Sequence, residues 1–504
     1  MELSGRGRRL LRAGGVAAVM AVAAGTRLWG LGEPQELVFD ETYYVKDAWT
    51  LLHLGYESRW PDGANEGWAA GDPSAWTTEP SFIAHPPLGR WVIALGLMTL
   101  GPETAWGWRV PVAIAGILLV AVTMLLAGLL FRSWPIALMT GGLLAIDGNA
   151  IVMSRVALLD GILALLVVVG FVLVVLDRRW VKRRLAAWRE ARAGAPPGAG
   201  PVLWWRPWLL AAGLALGMSS AVKWSGLYVL AAVGIATVVS DAVLFRRAGV
   251  ELWPAVVLRQ GPVNALLLLP VAAAAHLASW TGWFATDGGY YRHWVEGPDG
   301  EAWGGLLAWV PDAFQSWWHY QAAMLGYHES LTVDHSYEAP PATWLVLLRP
   351  TSMWFHEGDD GSAAEIIGLA NPLIWWASAA AIVALLLRVA VRVAERRPVA
   401  SEALVLLGAA AGYLPWFLYP ERTTFQFYTI VFEPFLVIAL ALWLAMLLGR
   451  PDEPRSTRRV GMVVVAVFLV ACAALSVWFW PLWSGTPLGS YAELALRFWF
   501  RSWV

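Results

Sequence analysis

Apolar residues run along this chain in long blocks, separated by short polar breaks that hold most of the arginines. A helix of about 20 apolar residues is long enough to cross the hydrocarbon of a bilayer. Such spans are predicted near 11–31, 105–131, 136–152, 158–176, 208–220, 225–244, 262–280, 369–389, 403–419, 428–448 and 460–480. The block at 86–101 is shorter and is interrupted by Arg90. It is predicted to be a helix lying in the interface, with Pro86 and Pro87 suited to a first turn. After the first span, Val45, Ala48, Trp49 and Leu52 recur at helical spacing, and Gly55 stands where that helix should end. This short amphipathic helix is expected to lie on the membrane surface. The pattern therefore predicts an all-α polytopic membrane protein: one transmembrane unit over 1–504, about eleven spans, interfacial helices, and two large loops at 32–104 and 281–368.

Composition agrees. The 504 residues are 58% hydrophobic and 14% charged, against about 25% charged in a typical soluble protein. The 34 tryptophans suit membrane–water interfaces. A net charge of −1 excludes the basic face that a nucleic-acid partner would require. Cys472 is the single cysteine and sits in an apolar run, so an internal disulfide is excluded and a small buried residue is expected. No metal-ligand cluster stands out, and no metal or other cofactor is expected. No phosphate-binding Gly-rich loop of the ATPase type is present, which argues against ATP-driven work.

Arginine placement sets the orientation. Arg6, Arg8, Arg9 and Arg12 precede the first span. If 86–101 does not cross, then Arg132, the run Arg178–Arg192, Arg246–Arg247, Arg388–Arg397 and Arg450–Arg459 all fall on that same side. Basic loops mark the cytoplasm. The N-terminus is expected inside, the C-terminus outside, and both large loops outside a plasma membrane. The basic N-terminal segment is not followed by the small-residue cleavage site of a signal peptide.

Two carboxylates, Asp40 and Glu41, stand side by side just after the first span. Acids near hydrocarbon are costly unless they face water or hold a partner. They fit a helix N-cap and a first-turn acid, and they fit a chemical site equally well. Five cations tilt the balance: His85, Arg109, Arg155, Lys223 and Arg422 are predicted at the external ends of helices, where the inside-positive bias does not explain them. Singly, each has a bland account. Arg155 could pair with Asp160, and Lys223 could snorkel to headgroups. Together they suggest an anion site beside a base, which suits transfer of a group from a lipid phosphate.

The segments "FDETYYVKDAW", "HPPLGRWVIALG", "RVPVAIAG", "SRVALLDG", "LGMSSAVKWSGLY", "DHSYEAPPATWLVLLRP" and "NPLIWW" occur in this order. In this they resemble the protein O-mannosyltransferase family, of the GT-C class, across nearly the whole chain. The resemblance implies transfer of mannose, with inversion, from a polyprenyl-phosphate-mannose donor to Ser or Thr of secreted proteins. It implies Asp40 as general base and Glu41 as its aid, with His85, Arg109, Arg155 and Lys223 as candidates for the donor phosphate. Beyond donor, acceptor proteins and membrane lipids, association with the secretion machinery is expected. The second loop lacks the β-trefoil insertion of eukaryotic members, so this sequence resembles the shorter bacterial form. Rival readings are a related enzyme with a lipid or glycan acceptor, and a transporter or flippase, which predicts inverted repeats and mid-membrane charges.

Overall fold

A computed structural model describes residues 5–192, 198–450 and 452–504; the first four residues of the basic N-terminal segment lie outside the described residues. Helix α1 (Gly5–Leu28) leads into the first loop, which holds α2 (Glu41–Leu54), α3 (Ala64–Ala69) and α4 (Leu88–Leu100). Next come α5 (Ala105–Phe131), α6 (Trp134–Ile146), α7 (Gly148–Val152), α8 (Asp160–Glu190), α9 (Pro207–Val222), α10 (Ser225–Arg247) and α11 (Val256–Ser279). The second loop contains α12 (Thr281–Ala285), α13 (Asp312–Ser330), α14 (Pro341–Trp344) and an antiparallel hairpin of β1 (Thr351–Glu357) and β2 (Ala363–Gly368). Then follow α15 (Pro372–Ala394), α16 (Ala400–Tyr413), α17 (Glu433–Leu447), α18 (Arg455–Ser484) and α19 (Tyr491–Ala495).

Each predicted span coincides with an apolar helix. Among the described residues, 8 helices are long and apolar enough to cross a membrane, while α6, α9 and α17 are shorter. At about 1.5 Å per residue, α6 reaches roughly 20 Å, less than the ~30 Å hydrocarbon layer. Buried polar residues cut these blocks. The carboxyl of Asp147 accepts from the backbone N–H of Asn149 (2.9 Å) and Ala150 (3.4 Å), ending α6 and starting α7. The block at 428–448 opens as a 3₁₀ turn, and its α-helix starts only at the buried Glu433.

Helix α17 is apolar on every side and accordingly sits inside the bundle. Helix α8 packs on α5 and α9, and α9 on α11. The last contact needs glycine: a Cβ at Gly217 would lie 2.4 Å from the Ala272 Cα. Small residues of this kind let membrane helices approach closely. Arg206 ties α8 to α11 through Asp177, Asp241 (2.5 Å) and Asn264 (2.7 Å), all buried.

Three local expectations change. The fold carries a β-hairpin beside its helices. Helix α2 is not a one-faced surface helix, because Glu41, Tyr44, Asp47, Thr50 and Leu51 are buried along with Val45 and Ala48. It is wedged against α4, where Arg90 meets Asp47 at 2.9 Å. Helix α4 begins after its prolines rather than on them, with Pro87 at the cap, and ends at Gly101.

Candidate active site

The first loop reaches the site through a sharp turn. Phe39 takes φ 49°, a left-handed value unusual outside glycine, and its ring meets Phe425 and Phe427 edge-on. Such strain persists only where surroundings impose it, and it clusters at working sites. The turn throws Asp40 and Glu41 in different directions.

Glu41 points inward and is fully buried. Its Oε1 accepts from Arg109 Nε (2.9 Å) and the Ala157 N–H (2.8 Å), and its Oε2 from Arg109 Nη2 (2.9 Å) and the Val38 N–H (3.0 Å). Arg109 also donates to the carbonyls of Leu31 (3.2 Å), Pro34 (2.8 Å) and Glu36 (2.9 Å). A guanidinium has five N–H groups, so Arg109 has none left for a phosphate. This pair clasps the 31–41 segment onto α5. Arg155 is placed likewise in the scaffold. It donates to the carbonyls of Thr26, Arg27, Trp29 and Gly30 at the end of α1, the shortest at 2.7 Å, and lies over Trp480. It does not pair with Asp160. That carboxylate binds Lys223 Nζ at 2.6 Å instead.

Asp40 faces the other way. It occupies the N-cap position of α2, yet its side chain makes no cap hydrogen bond. Its carboxyl is half-buried. Burial raises its pKa to about 6, tempered by the nearby charge of Lys223. Its titration is thus placed close to neutrality, the property a general base needs.

Beside it lies a cavity of about 380 Å³. Its polar lining comprises His85, Asp160, Lys223, Ser225, His328, Glu329 and Arg422; most of its wall is apolar and aromatic, including Trp224, Leu227, Trp416, Tyr428 and Val431. The rings of His85 and His328 stack at 5.0 Å. His328 Nε2 sits 2.6 Å from the Ala84 carbonyl and its Nδ1 3.2 Å from Arg422 Nη2. Those partners assign the neutral tautomer with the proton on Nε2, and burial with Arg422 close by lowers the His328 pKa to about 4. Burial and the charge of Lys223 hold His85 neutral too. Its Nδ1 is buried with no partner. Arg422 lies over Trp416 and leaves a buried Nε unpartnered. Lys223 Nζ stands 5.1 Å from the Tyr428 ring centre.

Of the residues singled out from sequence, the structure gathers Asp40, His85, Lys223 and Arg422 and sets Glu41, Arg109 and Arg155 behind them. His328, Trp416 and Tyr428 carry no local signal. They reach the cavity from distant segments of the chain, a juxtaposition only the fold creates.

The fold matches that of the S. cerevisiae protein O-mannosyltransferase Pmt1–Pmt2 complex bound to the sugar donor, with a TM-score of 0.72 at 17% identity, covering 100% of this chain and 93% of that one. It is also similar to the oligosaccharyltransferase AglB of Archaeoglobus fulgidus, with a TM-score of 0.54 at 13% identity over 93% of this chain and 56% of that one. The fold is that of the GT-C membrane glycosyltransferases. The family model described as dolichyl-phosphate-mannose-protein mannosyltransferase matches residues 78–276, and that for the C-terminal four TMM region of protein-O-mannosyltransferase matches 313–503. The chain is 32% identical to a polyprenol-phosphate-mannose–protein mannosyltransferase of Mycolicibacterium smegmatis (strain MKD8), covering 97% of this chain and 92% of the relative. It is 31% identical to the protein of the same name from Mycobacterium tuberculosis (strain ATCC 25618 / H37Rv), over 96% and 90%. The chain belongs to the protein O-mannosyltransferase family.

Proposed function

We propose that this enzyme transfers mannose, with inversion, from a polyprenyl-phosphate-mannose donor to Ser or Thr hydroxyls of secreted proteins on the outer face of the plasma membrane. The cavity carries this reading: cations and neutral imidazoles in its lining, a largely aromatic and apolar wall, and the half-buried Asp40 nearby. The wall suits the start of a prenyl chain. Arg422 and Lys223 suit the phosphate, with His328 orienting Arg422 and His85 offering a neutral hydrogen-bonding nitrogen.

In the transfer, Asp40 takes the proton of the acceptor hydroxyl as its oxygen bonds to the anomeric carbon. The bond from that carbon to the phosphate oxygen breaks, and its electron pair leaves with the phosphate. The leaving group departs ionised, so fixed cations stabilise the growing charge and no acid is needed. An acceptor must enter as a flexible segment, which fits modification during export beside the secretion machinery.

Purified enzyme supplied with donor and a Ser/Thr peptide should release polyprenyl phosphate and mannosylated peptide in equal amounts. A transporter would release neither, and transfer confined to lipid or glycan acceptors would select the rival enzyme reading. In the same assay Arg422→Ala should raise the donor KM about tenfold, one charge-assisted contact, with the peptide KM unchanged. Orientation follows from the basic loops: a periplasmic-type reporter fused after Val504 should be active, and activity of a cytoplasmic reporter there would reverse the assignment.

A further inference from the structure

The hairpin of the second loop has one closed side and one open side. Along β2, Ala363 commits both main-chain groups to Leu488, donating at 3.0 Å and accepting at 2.9 Å. Its partner across the hairpin is Glu357. Because Ala363 turns its polar groups away from β1, the Glu357–Ala363 pair is a non-hydrogen-bonded one, and Glu357 turns its own N–H and C=O away from β2. Alternation gives Phe355, opposite Glu365, the same outward direction. No hydrogen bond among the described residues satisfies those outward groups. Phe355, His356 and Glu357 are exposed. An unpaired edge of this kind is a template for another strand.

The edge is tethered to the catalytic loop. Trp354 Nε1 donates to Glu36 Oε1 at 2.6 Å, and the Glu36 carbonyl is one of those held by Arg109. Trp354 and His356 stack their rings on one face of β1, 5.8 Å apart. Glu36 stands four residues before Asp40, a span of at most about 14 Å. A peptide paired along β1 therefore runs beside the loop that carries Asp40.

We propose that the open side of β1 takes an extended segment of the acceptor protein as a third strand, presenting its Ser or Thr to Asp40. This rests on the mannosyltransferase reading. Main-chain pairing supplies affinity without demanding a sequence, which suits an enzyme that must accept many unfolded segments.

Glu357→Pro removes one outward N–H and leaves the bonds between β1 and β2 in place, since proline is tolerated at a free edge. It should raise the peptide KM about 3–10-fold, one main-chain hydrogen bond, with the donor KM unchanged. Glu357→Ala keeps the N–H and should behave as wild type. Independently, an N-methyl scan of the peptide on the wild-type enzyme should raise KM at alternate residues beside the acceptor hydroxyl. A flat scan overturns the proposal even if Glu357→Pro does not fold. A changed oligomeric state in Glu357→Pro at constant peptide KM also overturns it, assigning the edge to a second copy. Wild-type enzyme that mannosylates no peptide would sink the parent reading and the docking with it.

Discussion

Asp40→Asn should leave the enzyme folded and donor-bound while lowering kcat by about 10²–10⁴-fold, the usual loss on removing a general base. Asn keeps the size of Asp, and the Asp40 side chain makes no cap hydrogen bond that the change could break. Stability should therefore hold. A pH profile sharpens the test. Burial lifts the Asp40 pKa to about 6, and the base works only when deprotonated. Wild-type kcat/KM should be flat above that pH and fall about tenfold per unit below it, as protons occupy the carboxylate. The residual activity of Asp40→Asn should lack that acid limb. Near-normal turnover in Asp40→Asn would leave the residue a passive part of the turn, and a wild-type limb near pH 4 would deny it the raised pKa.

The apolar helices were legible because burial in hydrocarbon demands long apolar blocks, and every such block became a helix. Their interruptions were not: besides capping α7, Asp147 accepts from the Asn371 N–H at 3.0 Å, and Glu433, where α17 starts, accepts from Asn149 at 2.9 Å, partners far away in sequence. The same holds at the site. Adjacent residues Asp40 and Glu41 look equivalent as letters, yet the strained Phe39 sends one toward the cavity and the other into the core. Arg109 and Arg155 read as free cations because the carbonyls that occupy them belong to the folded first loop and the end of α1. Lys223 and His85 line the cavity, but the partner of Lys223 is Asp160, which nearness in sequence pairs with Arg155 instead. The hairpin edge left no trace at all, because an unpaired strand is defined by what the rest of the fold fails to cover.

The Glu41–Arg109 clasp predicts a different kind of failure. Breaking one side of a buried, hydrogen-bonded ion pair costs about 3–5 kcal/mol, because the remaining charge is stranded. Arg109→Leu should accordingly lose most of its thermal stability in detergent, with three loop carbonyls and the Glu41 carboxylate left without their donor. Glu41→Gln should be milder, since its carbonyl oxygen still accepts and Arg109 keeps its three loop carbonyls, the cost being an amide that faces the Val38 or Ala157 N–H without bonding it. Replacing both residues with Leu removes both charges, so the double variant should be more stable than the sum of the single losses implies; such non-additivity marks residues in direct contact. All three variants should lose activity through a displaced Asp40, so added donor will not restore it. If Arg109→Leu instead unfolds like wild type and shows only a raised donor KM, Arg109 holds the phosphate and the clasp is incidental.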